Sequence, residues 1–134
     1  MIPGYWYNFL EYNKCMDKVL TIHHDDDLSE VGIKMRLLSL NESLHISINH
    51  FPARLLSNYG YIPVGICMHE SKDDYYINKR DGKDGCLYRV YYDGINDENI
   101  FEGAIDKVLD NYVNMVFNND TPVFNWDCNI SNND

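Results

Sequence analysis

YIPVGICM at residues 61–68, YYINK at 75–79 and CLYRVYY at 86–92 decide the fold. Each run is dense in tyrosine, valine or isoleucine, the residues that fit a pleated, half-buried surface. Short polar connections, HESKDD and RDGKDG, separate them, so the pattern predicts three strands in an antiparallel meander. In the second connection Asp81-Gly82 and Asp84-Gly85 supply two glycines able to take positive φ, which suits a hairpin loop of more than two residues. Asp93-Gly94 ends the third strand.

Downstream, Asn99 and Glu102 have the spacing of a capping box. Phe101, Ile105, Val108, Tyr112 and Met115 repeat at three and four, which predicts a helix over 100–117 lying on one face of the sheet. Of the last seventeen residues nine are Asn or Asp and none is basic, so a single domain over 2–117 is followed by an Asn/Asp-rich tail over 118–134. That tail is expected to be mobile, with Val123, Phe124 and Trp126 able to dock. Upstream, Leu44, Ile46 and Ile48 alternate with polar residues and predict a strand, broken at Phe51-Pro52, with a helical turn over 53–58. Residues 28–40 fit two patterns. Leu28, Val31, Met35 and Leu38 suit a helix, Ile33, Met35 and Leu37 a strand, and the helix is preferred. Val19, Leu20 and Ile22 predict a brief strand. Pro3 and the spacing of Tyr5, Phe9 and Tyr12 predict an amphipathic helix over 3–13, packed on the sheet. The fold class is therefore α+β, a single, mainly antiparallel β-sheet with flanking helices.

The 134 residues suffice for one core without disulfides or metal, and 45% hydrophobic with 13% aromatic residues is too apolar for disorder throughout. Eleven basic residues stand against 21 acidic ones, a formal net charge of −10. That balance disfavours direct nucleic-acid binding, which runs on clustered Lys and Arg, and suits a basic protein partner. The four cysteines, at 15, 67, 86 and 128, form no C-x-x-C pair and are expected reduced and buried. Nothing after Met1 reads as a signal peptide and no run reaches the roughly eighteen apolar residues of a membrane span. A cytoplasmic protein with no membrane association is expected.

His23-His24-Asp25-Asp26-Asp27 offers imidazole and carboxylate donors together, but neighbours on a strand point to opposite faces, so an exposed acidic loop is the better reading. Neither 78–85 nor 93–98 has the D-x-[DN]-x-[DN]-G spacing of a calcium loop. No metal and no cofactor are expected. Cys67 and His69 lie two apart on a strand, a pairing that alternation alone produces often, and there is no nucleophile elbow or phosphate loop. The chain reads as a non-enzyme. What remains is a surface rich in tyrosine, at 59, 61, 75, 76, 88, 91 and 92, a residue suited to protein recognition.

Three segments together resemble the SUKH superfamily, immunity proteins of bacterial polymorphic toxin systems related to a fungal cell-wall assembly regulator family. IPGYWYNFLEYN from residue 2 is similar to that family's first helix, with Ile2-Pro3 and Phe9-Leu10 in matching places. Residues 59–74 are similar to the strand that carries an I-P-x-G unit, here Ile62-Pro63-Val64-Gly65, before a loop and an acidic residue. Residues 85–93 resemble the next strand, with its Val-Tyr-Tyr ending, and the helix expected over 100–117 resembles the family's closing helix, which contains a phenylalanine. The resemblance implies a SUKH-like fold and a protein that neutralises a cognate toxin by direct binding, without catalysis. The negative charge points to a toxin, such as a nuclease, with a basic surface, since complementary charge speeds association. Asp25, Asp26, Asp27, Asp73, Asp74 and Tyr75 are the candidate contacts, and reversing Asp73 and Asp74 to Lys is expected to weaken binding without changing the melting temperature. The alternatives are a small metal-dependent or hydrolytic enzyme using His23, His24 or His69, and a regulatory adaptor.

Overall fold

The computed structural model describes residues 2–22, 33–69, 71–115, 117–118, 121–122 and 124–126. Its centre is an antiparallel meander, β1 (Val19–Ile22), β2 (Ile33–Leu37), β3 (Tyr61–Cys67), β4 (Tyr75–Asn78), β5 (Leu87–Val90) and β6 (Ile105–Leu109). A small hairpin, β7 (Phe117–Asn118) and β8 (Thr121–Pro122), precedes β9 (Phe124–Trp126), which pairs antiparallel with β1. The seven-stranded sheet has the order β6-β5-β4-β3-β2-β1-β9. The rest of the tail over 118–134 lies outside the described residues. With helices α1 (Gly4–Asn13), α2 (Leu40–Asn49) and α3 (Ala53–Leu56), this is the expected α+β architecture. No helix among the described residues is long and apolar enough to cross a membrane.

Helix α1 starts behind Pro3, whose fixed φ suits a helix entrance, and stops at Lys14, which takes φ +53. It buries Trp6, Phe9 and Leu10 against Leu20, Met35, Leu37, Ile77, Leu87, Tyr112 and Met115. On the opposite face α3 sets Ala53 and Leu56 against Tyr76, Val90, Ile95 and Ala104. Strand β3 is buried along almost its whole length, as expected of the sheet's central strand. Its Pro63 sits at a register shift, with Pro63 opposite Tyr76 and Gly65 opposite Tyr75. Pairing with β2 begins only at Gly65, so the missing proline N–H breaks no ladder bond on that side. At Gly65 an added Cβ would stand 2.5 Å from Met35 Sδ, so any larger residue there would have to displace the Met35 side chain.

Three sequence expectations are corrected. Within 28–40 residues 33–37 form a strand and Leu40 opens α2, so the alternation of Ile33, Met35 and Leu37 outweighs the helical spacing; 28–32 lie outside the described residues. Residues 44–48 belong to helix α2. The deciding signal is Ser39-Leu40-Asn41-Glu42, where the Ser39 Oγ accepts the Glu42 N–H at 3.2 Å, half of a capping box. Arg36 reinforces this turn by donating two hydrogen bonds to Glu42, at 3.0 and 3.2 Å. Ser39→Ala is expected to cost about 1 kcal/mol in chemical denaturation, and an unchanged midpoint would show that the cap contributes nothing.

The third correction concerns 100–117, which is not a helix, so the likeness of this segment to a closing SUKH helix does not hold. Asn96, not Asn99, supplies the local acceptor, its Oδ1 taking the N–H of Glu98 at 2.9 Å and of Asn99 at 2.8 Å. Ile100 then bridges back to Ile95, and Gly103 takes φ +85, a conformation no helix interior accepts. The chain leaves that turn as β6 and closes with a short 3₁₀ helix, Tyr112–Met115, that buries Tyr112 and Met115. In the β4–β5 connection positive φ falls on Gly82 and on Asp84, one residue before the expected Gly85.

Candidate partner-binding surface

The acidic residues chosen from the sequence turn out to have structural partners. Asp73 Oδ1 accepts the Tyr92 N–H at 2.8 Å, and its Oδ2 lies 3.9 Å from Arg89. Asp74 Oδ1 accepts the Cys67 N–H at 2.9 Å. Burial pushes the Asp74 carboxyl above its usual range; the Cys67 N–H and Arg89 oppose that shift and Asp73 adds to it. Tyr75 is 1% exposed and packs in the core on the α1 side, with the Arg89 guanidinium 5.7 Å from its ring centroid and 5.4 Å from that of Tyr91. A buried ring cannot meet a partner, and two carboxylates holding backbone amides cannot be replaced by Lys at unchanged stability. The expectation of an unchanged melting temperature is withdrawn on these grounds. Asp25, Asp26 and Asp27 lie outside the described residues, as do His23 and His24. Cys67 is buried, and so is Cys15, whose thiol burial pushes up to about 12. Among the described residues no three His, Cys, Asp or Glu side chains converge as metal ligands would.

What Asp73 and Arg89 support is the connection between β5 and β6, and this is the surface that sequence reasoning missed. Its base is closed by Tyr91 N–H to Ala104 O at 2.7 Å, and its middle by Phe101 N–H to Gly94 O and Asn96 N–H to Asn99 O, both at 2.9 Å. Ile95 and Ala104 anchor it in the core beneath α3, with Ile100 packed alongside. Gly94 is required by close approach, because a Cβ there would stand 2.5 Å from Ala104 Cβ and 3.1 Å from its Cα. The ring of Phe51 meets Tyr92 edge-on at 5.8 Å, and Lys72 Nζ lies 5.1 Å from the Tyr92 centroid.

On this stiff support the exposed side chains are Asp93, Asn96, Asp97, Glu98, Asn99, Phe101 and Glu102. Phe101 is 51% exposed. Among the described residues none of these four carboxylates enters an ion pair; Arg36, Arg89 and Lys107 engage Asp17, Glu42, Asp73 and Asp110. An exposed aromatic ring sharing one loop with unpaired carboxylates has the composition of an interface anchor with a charged rim. The signal available in the sequence was the polar run DGINDEN at 93–99, which surrounds a single isoleucine. Elsewhere a cleft of about 270 Å³ between α2 and β3 is lined by Leu44, Ile48, Tyr61 and Ile62, with Lys79 as its one charged side chain among the described residues. It has no acid–base pair. Comparison with protein-family models, with curated proteins and with solved structures finds no match to this chain.

Proposed function

We propose that this chain is an immunity protein that neutralises a toxin by direct binding, and that the 93–102 loop forms its contact surface. The observation that carries the reading is Phe101, held half-exposed on a hydrogen-bonded loop that also carries the exposed Asp93, Asp97, Glu98 and Glu102. The half of the ring that the fold leaves open is available for burial by a partner. The surrounding charge selects a basic surface, such as the substrate cleft of a nuclease, and the net charge of −10 draws it in from a distance. The resemblance of 2–13, 59–74 and 85–93 to the SUKH superfamily supplies the biological class.

The test is capture from the native organism with tagged protein as bait, followed by affinity measurement and a toxicity-rescue assay with the protein recovered. Phe101→Ala is expected to weaken binding by about 2 kcal/mol, the scale of an interface anchor. Asp97→Lys with Glu98→Lys is expected chiefly to slow association and flatten its salt dependence. Neither change touches a core contact, so melting temperatures should stay close to the original. Recovery of no toxic protein, or full affinity in both variants, would refute the proposal.

A further inference from the structure

The free edge of β6 offers a second feature beside this loop. Val90 donates its N–H to Asp74 O at 2.9 Å, toward β4, and Tyr91 donates to Ala104 O at 2.7 Å, toward β6. Along a strand these directions alternate. The facing residues Val90 and Ile105 are therefore not hydrogen-bonded to each other, and the amide groups of Ile105 point away from β5. Arg89 faces Asp106 and Tyr88 faces Lys107, so alternation turns Lys107 outward as well. Strand β6 ends the sheet order, and among the described residues no backbone bond reaches the outer groups of Ile105 or Lys107.

Such an edge can accept one more strand. A second copy of this chain is a poor occupant. Antiparallel symmetry about Asp106 would face two carboxylates, and symmetry about Lys107 two ammonium groups, both unfavourable directly across a ladder. Symmetry about Ile105 runs into Gly103, whose φ of +85 takes the chain out of the strand. Each copy also brings a net charge of −10. A basic segment meets none of these objections. Its Lys or Arg opposite Asp106 would lie beside Tyr91, whose hydroxyl donates to Asp106 Oδ2 at 3.5 Å, and Glu102 stands exposed before the strand.

We infer that the outer edge of β6 binds an extended, basic protein segment by strand addition, through the amide groups of Ile105 and Lys107. This rests on the reading of the chain as a binder of a basic protein, and adds how that partner is held. The probe is a capped peptide alternating lysine with valine, studied at low ionic strength by calorimetry and by amide hydrogen exchange. Binding is expected, with slowed exchange at Ile105 and Lys107. The same peptide N-methylated on alternate backbone nitrogens keeps its charge but loses strand pairing, and is expected to bind about tenfold more weakly. Lys107→Pro removes an N–H the fold does not use and should weaken binding to a similar degree.

The peptide comparison uses the unaltered protein, so it stands even if the proline variant fails to fold. Equal affinity of the two peptides, no binding of either, or unchanged exchange at Ile105 and Lys107 would overturn strand addition. So would a dimer in sedimentation that Lys107→Pro abolishes, since the edge would then be occupied by a second copy. Capture of a toxin that leaves exchange at Ile105 and Lys107 unchanged would overturn strand addition while leaving the immunity reading intact.

Discussion

Trp6→Ala is expected to lower the unfolding free energy by about 3–5 kcal/mol, the range for truncating a large buried aromatic. Trp6 is 0% exposed and joins α1 to the sheet. Its ring stacks on Phe9 at 5.1 Å and meets Tyr112 edge-on at 5.2 Å, and Phe9 meets Tyr112 at 5.1 Å. Removing the indole opens a hole bounded by three elements that cannot all move in to fill it. One effect runs the other way, since Trp6 Nε1 is buried without a hydrogen-bond partner among the described residues and its loss relieves a desolvated donor. Trp6→Phe should therefore cost much less, because it keeps a ring and drops the orphan N–H. The 93–102 loop rests on the separate core beneath α3, so Trp6→Ala should leave partner affinity unchanged well below its lowered melting temperature. Urea denaturation decides the first point, and a loss under about 1 kcal/mol would mean that α1 is not part of the cooperative core.

The elements legible in the sequence were those whose burial matches their periodicity. Strands β3, β4 and β5 alternate or are apolar throughout, between turn residues, and α1 repeats at three and four behind a proline. Helix α2 was hidden because it is only partly apolar on the face it buries: Ser43 is fully buried while Ile48 is 59% exposed, which left a period of two as the visible pattern. Its start was readable in Ser39 and Glu42. The expected helix over 100–117 failed at Gly103, where one backbone angle overrides five well-spaced apolar residues. That error also concealed the candidate surface, since Phe101 was assigned to a buried helix face and is instead displayed. Tyr75 shows the converse. Tyrosine composition suggests a surface, but which face of a strand each ring occupies depends on register, and β4 turns Tyr75 toward α1 and Tyr76 toward α3.

Asp73→Lys together with Asp74→Lys is expected to destabilise the fold by more than about 3 kcal/mol, since each buried amide left without its acceptor costs about 1–3 kcal/mol. The amides are those of Cys67 and Tyr92, and the new ammonium groups would stand beside Arg89. Loss of binding in this double variant would then report a displaced loop and not a lost contact, which separates it from Phe101→Ala. Asp74→Asn isolates the charge, because its amide oxygen can still accept the Cys67 N–H. The Asp74 carboxyl has a raised pKa in the folded state. Its favourable contribution is therefore complete below the unfolded value of about 4 and is lost as pH rises through the folded value. The stability of Asp74→Asn relative to the original protein should accordingly rise between pH 4 and neutrality and then level off. A difference that stays flat, or moves toward the original protein with rising pH, would show that the amide of Cys67 and Arg89 outweigh burial in setting that carboxyl's charge.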